Sequence, residues 1–254
     1  MDFDNDLNAC AALVEKGDPE RFRTVMAAPV AARAKLFVLY AFNVEVARAP
    51  WVTQEPMIAE MRLQWWRDAL EEIATNATAR RHEVVTPLVK FMSPETAAML
   101  DELVAVRRWD IYKDAFEDEA HFDRYIDQTA GHLMVAATRS LGVADENVVR
   151  DVAYAAGIAA WLCAVPKLET AKRVPLLDGR PEGVRELAAG ALKRLQNARA
   201  SKTRISKNAQ PALWPVVGAD QVLNQVVRDP MAVAEGRLDT RSKPLVWAAL
   251  LGRW

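Results

Sequence analysis

Apolar residues recur at three- and four-residue steps along almost the whole of this 254-residue chain, and alanine fills many of the gaps. A segment with that period buries one face of an α-helix, whereas a half-buried strand needs the two-residue alternation that is nearly absent here. Glu55–Ile73 is the clearest case: Pro56 suits a first helical turn, and Ile58, Met61, Trp65, Ala69 and Ile73 form one stripe. Arg67 and Glu71 are spaced to pair on the other face. The same proline-led opening recurs at Asp18-Pro19-Glu20, Ser93-Pro94-Glu95 and Arg180-Pro181-Glu182, with a capping side chain before the proline in the first two. Gly17 and Gly142 read as helix stops. These signals predict helices near 4–15, 19–28, 31–49, 56–74, 83–92, 94–108, 119–141, 146–164, 182–200, 203–213, 219–228 and 243–252. The stretch 166–183 holds three prolines and two glycines and reads as a hinge-like loop. With neither repeats nor low-complexity tracts, residues 1–254 are expected to form one all-α domain.

Composition narrows the function classes. A net charge of −1 gives no basic field for nucleic acid or for an anionic membrane. Cys10 and Cys163 lie far apart without CxxC spacing, which argues against a disulfide framework or a zinc site and fits a reducing compartment. The acidic opening MDFDNDLNAC has no basic-then-apolar leader, and no apolar run approaches the roughly 18–20 residues of a membrane span. The expectation is a cytoplasmic protein without a transmembrane segment, with at most a peripheral contact at the inner membrane.

Three stretches carry a resemblance. Leu39-Tyr40-Ala41-Phe42-Asn43-Val44-Glu45-Val46-Ala47-Arg48 is followed by Met61-Arg62-Leu63-Gln64-Trp65-Trp66-Arg67-Asp68-Ala69-Leu70. Then come Tyr125-Ile126-Asp127-Gln128-Thr129-Ala130-Gly131 and Ala156-Gly157-Ile158-Ala159-Ala160-Trp161-Leu162, the last leading into Lys172-Arg173-Val174-Pro175-Leu176. In order and spacing, over roughly 15–215, the chain resembles the squalene/phytoene synthase family. The resemblance implies a bundle of antiparallel helices around a central hydrophobic cavity.

Members of that family ionise an allylic diphosphate, and Mg²⁺ ions held by two DxxxD motifs neutralise the leaving group. Residues i and i+4 share a helix face, so each motif aims two carboxylates the same way. In this chain the first pair falls on Ala47 and Trp51, and the accompanying arginine on Val44. The second pair falls on Leu168 and Lys172, the preceding Gln and Asn positions are Trp161 and Ala164, and Pro166 is expected to interrupt the helix. Only Glu45 and Glu169 lie close. Since stabilisation of the departing charge is the kind of electrostatic effect that dominates catalysis, the ordinary mechanism has lost its basis. Lys167, Lys172 and Arg173 would offer a diphosphate only point charges. The resemblance also places Tyr40, Glu45, Gln64, Tyr125 and Trp161 among candidate ligand-binding residues, with no catalytic residue and no metal ligand.

Other features weigh less. Asp110/Asp114, Asp114/Asp118 and Asp123/Asp127 repeat DxxxD spacing, but Lys113, Glu117 and Glu119 crowd the segment, which reads as a solvated acidic stretch. Arg107–Tyr112 mixes arginine and aromatics, as docking surfaces do. His82, His121 and His132 lack ligand spacing, and His132 reads as a core histidine. Cys163 reads as a small buried hydrophobe. Trp65 is expected in the core and Trp66 against a neighbouring helix or a partner. The basic run Lys193–Lys207 reads as a solvated face, with lipid headgroups or an acidic partner as the sharper alternative.

One branch of the family lacks the aspartates and serves in respiratory complex I assembly; the Ala41–Ala47, Met61–Arg67, Arg108–Asp110 and Leu245–Arg253 segments resemble it. The leading expectation is thus a pseudoenzyme that binds a protein partner in complex assembly and needs no cofactor. Two alternatives stand: a Mg²⁺-dependent prenyltransferase using farnesyl or geranylgeranyl diphosphate through atypical ligands, and a carrier of an isoprenoid lipid such as a quinone.

Overall fold

The computed structural model describes residues 4–239 and Trp254. Along that stretch run α1 (Asn5–Gly17), α2 (Pro19–Ala27), α3 (Val30–Arg48), α4 (Pro56–Ala74), α5 (Val85–Val89) and α6 (Pro94–Val106). They are followed by α7 (Glu119–Ile126), α8 (His132–Leu141), α9 (Glu146–Thr170), α10 (Pro181–Ala200), α11 (Ala219–Arg228) and α12 (Met231–Ala234). Among the described residues there is no strand, only an isolated bridge between Ala144 and Ile205. The helix expected at 243–252 lies outside the described residues.

The start signals act as their chemistry requires. The Asp18 carboxylate accepts the Arg21 N–H at 3.0 Å and Ser93 Oγ accepts the Thr96 N–H at 3.2 Å, each ahead of a first-turn proline. Two helices form the middle of the bundle. α3 buries twelve of its nineteen residues and packs on α1, α2, α5 and α8. α9 packs on α7, α8, α10, α11 and α12. Gly157 lets α9 approach the 126–130 segment, since a Cβ there would stand 2.9 Å from Ala130 Cβ and 3.0 Å from Ile126 Cγ2.

Several expectations need correction. The α4 stripe is offset: Ile58 and Met61 are exposed, while Ala59, Leu63, Trp66, Ala69, Leu70 and Ile73 are buried. Trp66, not Trp65, is therefore the core tryptophan. Trp65 is half-buried, edge-on to Trp66 and beneath the Arg80 guanidinium. Arg67 pairs with Asp101 of α6 at 2.8 and 3.0 Å rather than with Glu71, because the α4–α6 contact brings a carboxylate within a bidentate fork. The helix expected at 119–141 changes pitch midway, in a π-helical turn over Asp127–Gly131. Residues 202–204 and 210–216 form 3₁₀ turns, and in the second Pro211 and Pro215 withhold the N–H groups an α-helix would use.

Pro166 does not end α9, which runs on to Thr170 and leaves only about 171–180 as the loop. Buried Leu162 and Val165 hold that last stretch against the core. α9 is also long and apolar enough to cross a membrane, with a mean hydropathy of 1.5 over eighteen residues, which the sequence did not lead one to expect. Ten of its side chains, from Val148 to Val165, are instead buried against the rest of the bundle.

Candidate functional site

A cavity of about 650 Å³ opens between α3 and α9, closed at its sides by the 125–134 segment and by residues of α2 and the 3₁₀ turn at 210–216. α3 presents Tyr40, Asn43, Val44, Ala47, Arg48 and Trp51, the i, i+3, i+4 face of one helix and the residues just past its end. α9 presents Gly157, Ala160, Trp161, Ala164 and Leu168 from the opposite wall. Trp51 and Val52 line the cavity while remaining 44% and 43% exposed, which puts them at its mouth.

The charged groups of the cavity come in pairs. Arg21 of α2 bonds Asp18 and reaches over the Tyr40 ring. Arg107 donates to Asp110 at 3.1 Å and to Tyr125 Oη at 2.9 Å, and Tyr125 Oη donates to Asp110 at 2.9 Å. Arg48 faces Glu45 at 3.4 Å. Burial pushes the Tyr40 and Tyr125 phenols well above their usual values, against the pull of Arg21 and Arg107, so both stay protonated. Tyr40 Oη and Arg107 Nε are buried with no hydrogen-bond partner.

The sequence candidates divide. Tyr40, Tyr125 and Trp161 line the cavity, as do Ala47, Trp51 and Leu168. Lys172 does not: it lies beyond the end of α9, exposed, with φ at +62°. The two adjacent α9 positions facing the cavity are Ala164 and Leu168. Gln64 stands exposed on α4 and donates to Asp68 at 2.7 Å, Glu45 is engaged with Arg48 outside the lining, and Lys167 is exposed. Arg173 is buried, and its guanidinium donates to the carbonyls of Trp109, Asp110 and Tyr112 between the rings of Trp51 and Trp109. It holds a loop in place rather than pointing into the cavity.

These positions decide whether Mg²⁺ fits. The ion takes hard oxygen ligands in near-octahedral geometry. The facing walls offer alanine, tryptophan, alanine and leucine at 47, 51, 164 and 168, and the two cavity carboxylates, Asp18 and Asp110, are already held by arginines. The donor set does not fit the ion.

The relocated DxxxD pairs do not converge either. Asp110 is 3% exposed, a correction to the solvated reading. Asp118 caps α7, Asp123 accepts from Tyr154 Oη at 2.8 Å and Asp127 holds Arg150 at 2.8 Å, so three of the remaining aspartates have separate duties. Asp114 is exposed. The Arg107–Tyr112 segment is split: Trp109 turns inward, stacking on Phe116 at 4.1 Å and adjoining Tyr125 and Trp161, while Arg108 and Tyr112 stay exposed and bond Glu60. His132 is buried between Glu102 and Arg150, as a core histidine should be. Cys163 is half-buried and Cys10 fully buried, its thiol pushed up to about 12 by desolvation. In the basic run, Arg194, Arg199 and Arg204 each meet an aspartate, which favours the solvated-face reading.

Sequence reasoning missed Asn43, Asp18, Arg21 and Arg107 as cavity residues. Asn43 was within reach, because Tyr40 was a candidate and three residues on is the same helix face. Arg21 and Arg107 carry no such signal, since they reach the cavity only through tertiary packing.

A sequence model of the squalene/phytoene synthase family matches residues 14–163. A Drosophila melanogaster protein named complex I assembly factor 6 homolog is 30% identical over 166 residues, 62% of this chain. That match spans 50% of the fly protein's length. Human complex I assembly factor 6 is 25% identical over 244 residues, 86% of this chain and 73% of the human one. Among solved structures, a ligand-bound dehydrosqualene synthase superposes with a TM-score of 0.73 at 12% identity, over 97% of this chain and 93% of its own. The squalene synthase HpnC from Alicyclobacillus acidocaldarius gives 0.70 at 17% identity, over 89% and 94%. The two structures establish the all-α isoprenoid-synthase fold, and the family match over more than half the sequence establishes descent: the chain belongs to the squalene/phytoene synthase family.

Proposed function

We propose that this protein works by binding rather than by prenyl transfer, and that it serves in the assembly of respiratory complex I. One observation carries the first half: of the positions where the resemblance expects metal-holding aspartates, Ala47, Trp51 and Leu168 line the cavity without an oxygen ligand, and Lys172 lies outside it. Similarity to the fly and human assembly factors supports the second half. On this reading the partner is a protein of the respiratory complex or of its assembly line, the site of action is the inner face of the membrane that holds it, contact with that membrane is peripheral, and no cofactor is needed.

Deleting the gene in its host and measuring membrane NADH:quinone reductase activity tests the assembly role. Activity should fall and return with the intact gene; unchanged activity and unchanged complex content would sink the role. Incubating pure protein with Mg²⁺ and farnesyl or geranylgeranyl diphosphate tests the loss of chemistry. No product should form above buffer, and turnover would restore the enzyme reading.

A further inference from the structure

Resting on the reading of the cavity as a binding site without metal chemistry, we infer that it takes an uncharged lipid: a long apolar chain ending in a carbonyl or hydroxyl head. The Asn43 carboxamide is the group that receives the head. Asn43 is only 8% exposed, lines the cavity, and meets no hydrogen-bond partner among the described residues. Its amide atoms are not among the fully buried unpaired ones and so open onto the cavity. A carboxamide has two donors and a two-lone-pair acceptor, which a purely apolar occupant would cover unpaired, so a ligand whose head completes them is favoured there. Beside it, Val44 occupies the position where the family resemblance expects an arginine.

Charge points the same way. Three cations line the cavity, and each already faces a carboxylate: Arg21 with Asp18, Arg107 with Asp110, and Arg48 with Glu45. Among the described residues, a diphosphate would find each guanidinium already facing a carboxylate and no pair of carboxylates free to hold a metal. It would also meet Asp18 and Asp110, which repel it. An uncharged head avoids both penalties. The chain would lie along the small and apolar side chains of α9 opposite, at Gly157, Ala160, Ala164 and Leu168, and leave by the mouth at Trp51 and Val52. At about 650 Å³ the space is in the ordinary range for small-molecule sites, roughly 300–1,000 Å³.

A prenylated quinone and an acyl ester share this chemistry, and the test separates them. Trp51 and Trp161 line the cavity, so their fluorescence reports occupancy of the full-length protein. It is titrated with a short-chain prenylquinone, with methyl oleate, and with farnesyl diphosphate in the presence and absence of Mg²⁺. At least one uncharged probe should bind saturably, and the tighter of the two names the source. Farnesyl diphosphate should bind at least tenfold more weakly, without response to Mg²⁺. Asn43→Leu, which removes an unpaired amide at similar volume, should weaken the uncharged probe about tenfold and leave a headless hydrocarbon of the same length unaffected. Ala160→Trp, which fills the space from the other wall, should abolish both. The inference is overturned if folded protein binds neither uncharged probe, if the diphosphate binds as tightly, or if Asn43→Leu binds the head-bearing probe unchanged. The gene-deletion result is separate: lipid binding with intact complex I would remove the assembly role alone, and loss of complex I without lipid binding would remove this inference alone.

Discussion

Arg173 is buried without a carboxylate partner, and three backbone carbonyls take its place. A guanidinium can do this because its five donors are set in a planar fork, which the compact lysine ammonium lacks. Arg173→Met keeps most of the volume yet leaves the carbonyls of Trp109, Asp110 and Tyr112 without their donor. An unsatisfied buried acceptor costs about 1–3 kcal/mol, and a domain of this size loses roughly 2–4 °C of Tm per kcal/mol. Thermal unfolding followed by circular dichroism should therefore show a clear fall for Arg173→Met and a fall for Arg173→Lys too; an unchanged Tm would mean the fork carries no structural load. The sequence shows a cation after a helix and invites an anion-binding role. It does not show that the charge is met by peptide dipoles sixty residues away. Asn43 is the converse case, a polar residue inside an apolar helix whose significance appears only once the facing wall is known to leave its amide unpaired.

Helix starts were the most legible elements, because a cap is a local bond between residues three apart. Ser93 Oγ accepts the Thr96 N–H, so Ser93→Ala should cost about 1 kcal/mol, read as a lower urea midpoint at unchanged slope. A changed slope instead would mean the substitution altered more than the cap. Packing between elements was less legible. The first half of the α4 stripe was displaced, since Trp65 and Trp66 serve the same pattern and it is Trp66 that meets Phe42 of α3, edge-on at 5.4 Å. Pro166 reads as a break, yet the helix outlasts it because the buried residues before it fix the direction of the last turn. The crossing of α9 over the 126–130 segment depends on Gly157. Gly157→Ala would bring a methyl within 2.9 Å of Ala130 Cβ, and overpacking of this kind costs about 1–3 kcal/mol. If Gly157→Ala unfolds at the wild-type temperature, the helices are free to separate and the close approach is not a constraint.

On the scale of the whole molecule, the bundle brings two i, i+4 pairs of side chains without oxygen ligands to one cavity from opposite walls. Ala47 and Trp51 share a cavity with Ala164 and Leu168, each pair four residues apart on its own side. If convergence of these positions is a property of the fold, installing oxygen ligands there should create ion binding without changing any other residue. A variant carrying Ala47→Asp, Trp51→Asp, Ala164→Asp and Leu168→Asp should be less stable than the wild type in chelator, since four carboxylates then crowd a partly desolvated space. Mg²⁺ should reverse that loss, because a ligand that binds only the folded state adds about 2.7 kcal/mol when present at a hundred times its Kd. The wild type should show no Mg²⁺-dependent rise in Tm over the same range. Calorimetric titration of the two proteins checks both halves. An equal response from the wild type would mean that other residues hold the ion, and the absence of carboxylates at these positions would no longer argue for the proposed binding role over prenyl transfer. A folded variant that takes no Mg²⁺ would mean the four side chains line one cavity without converging on one point, so that geometry as well as residue type stands against a metal there.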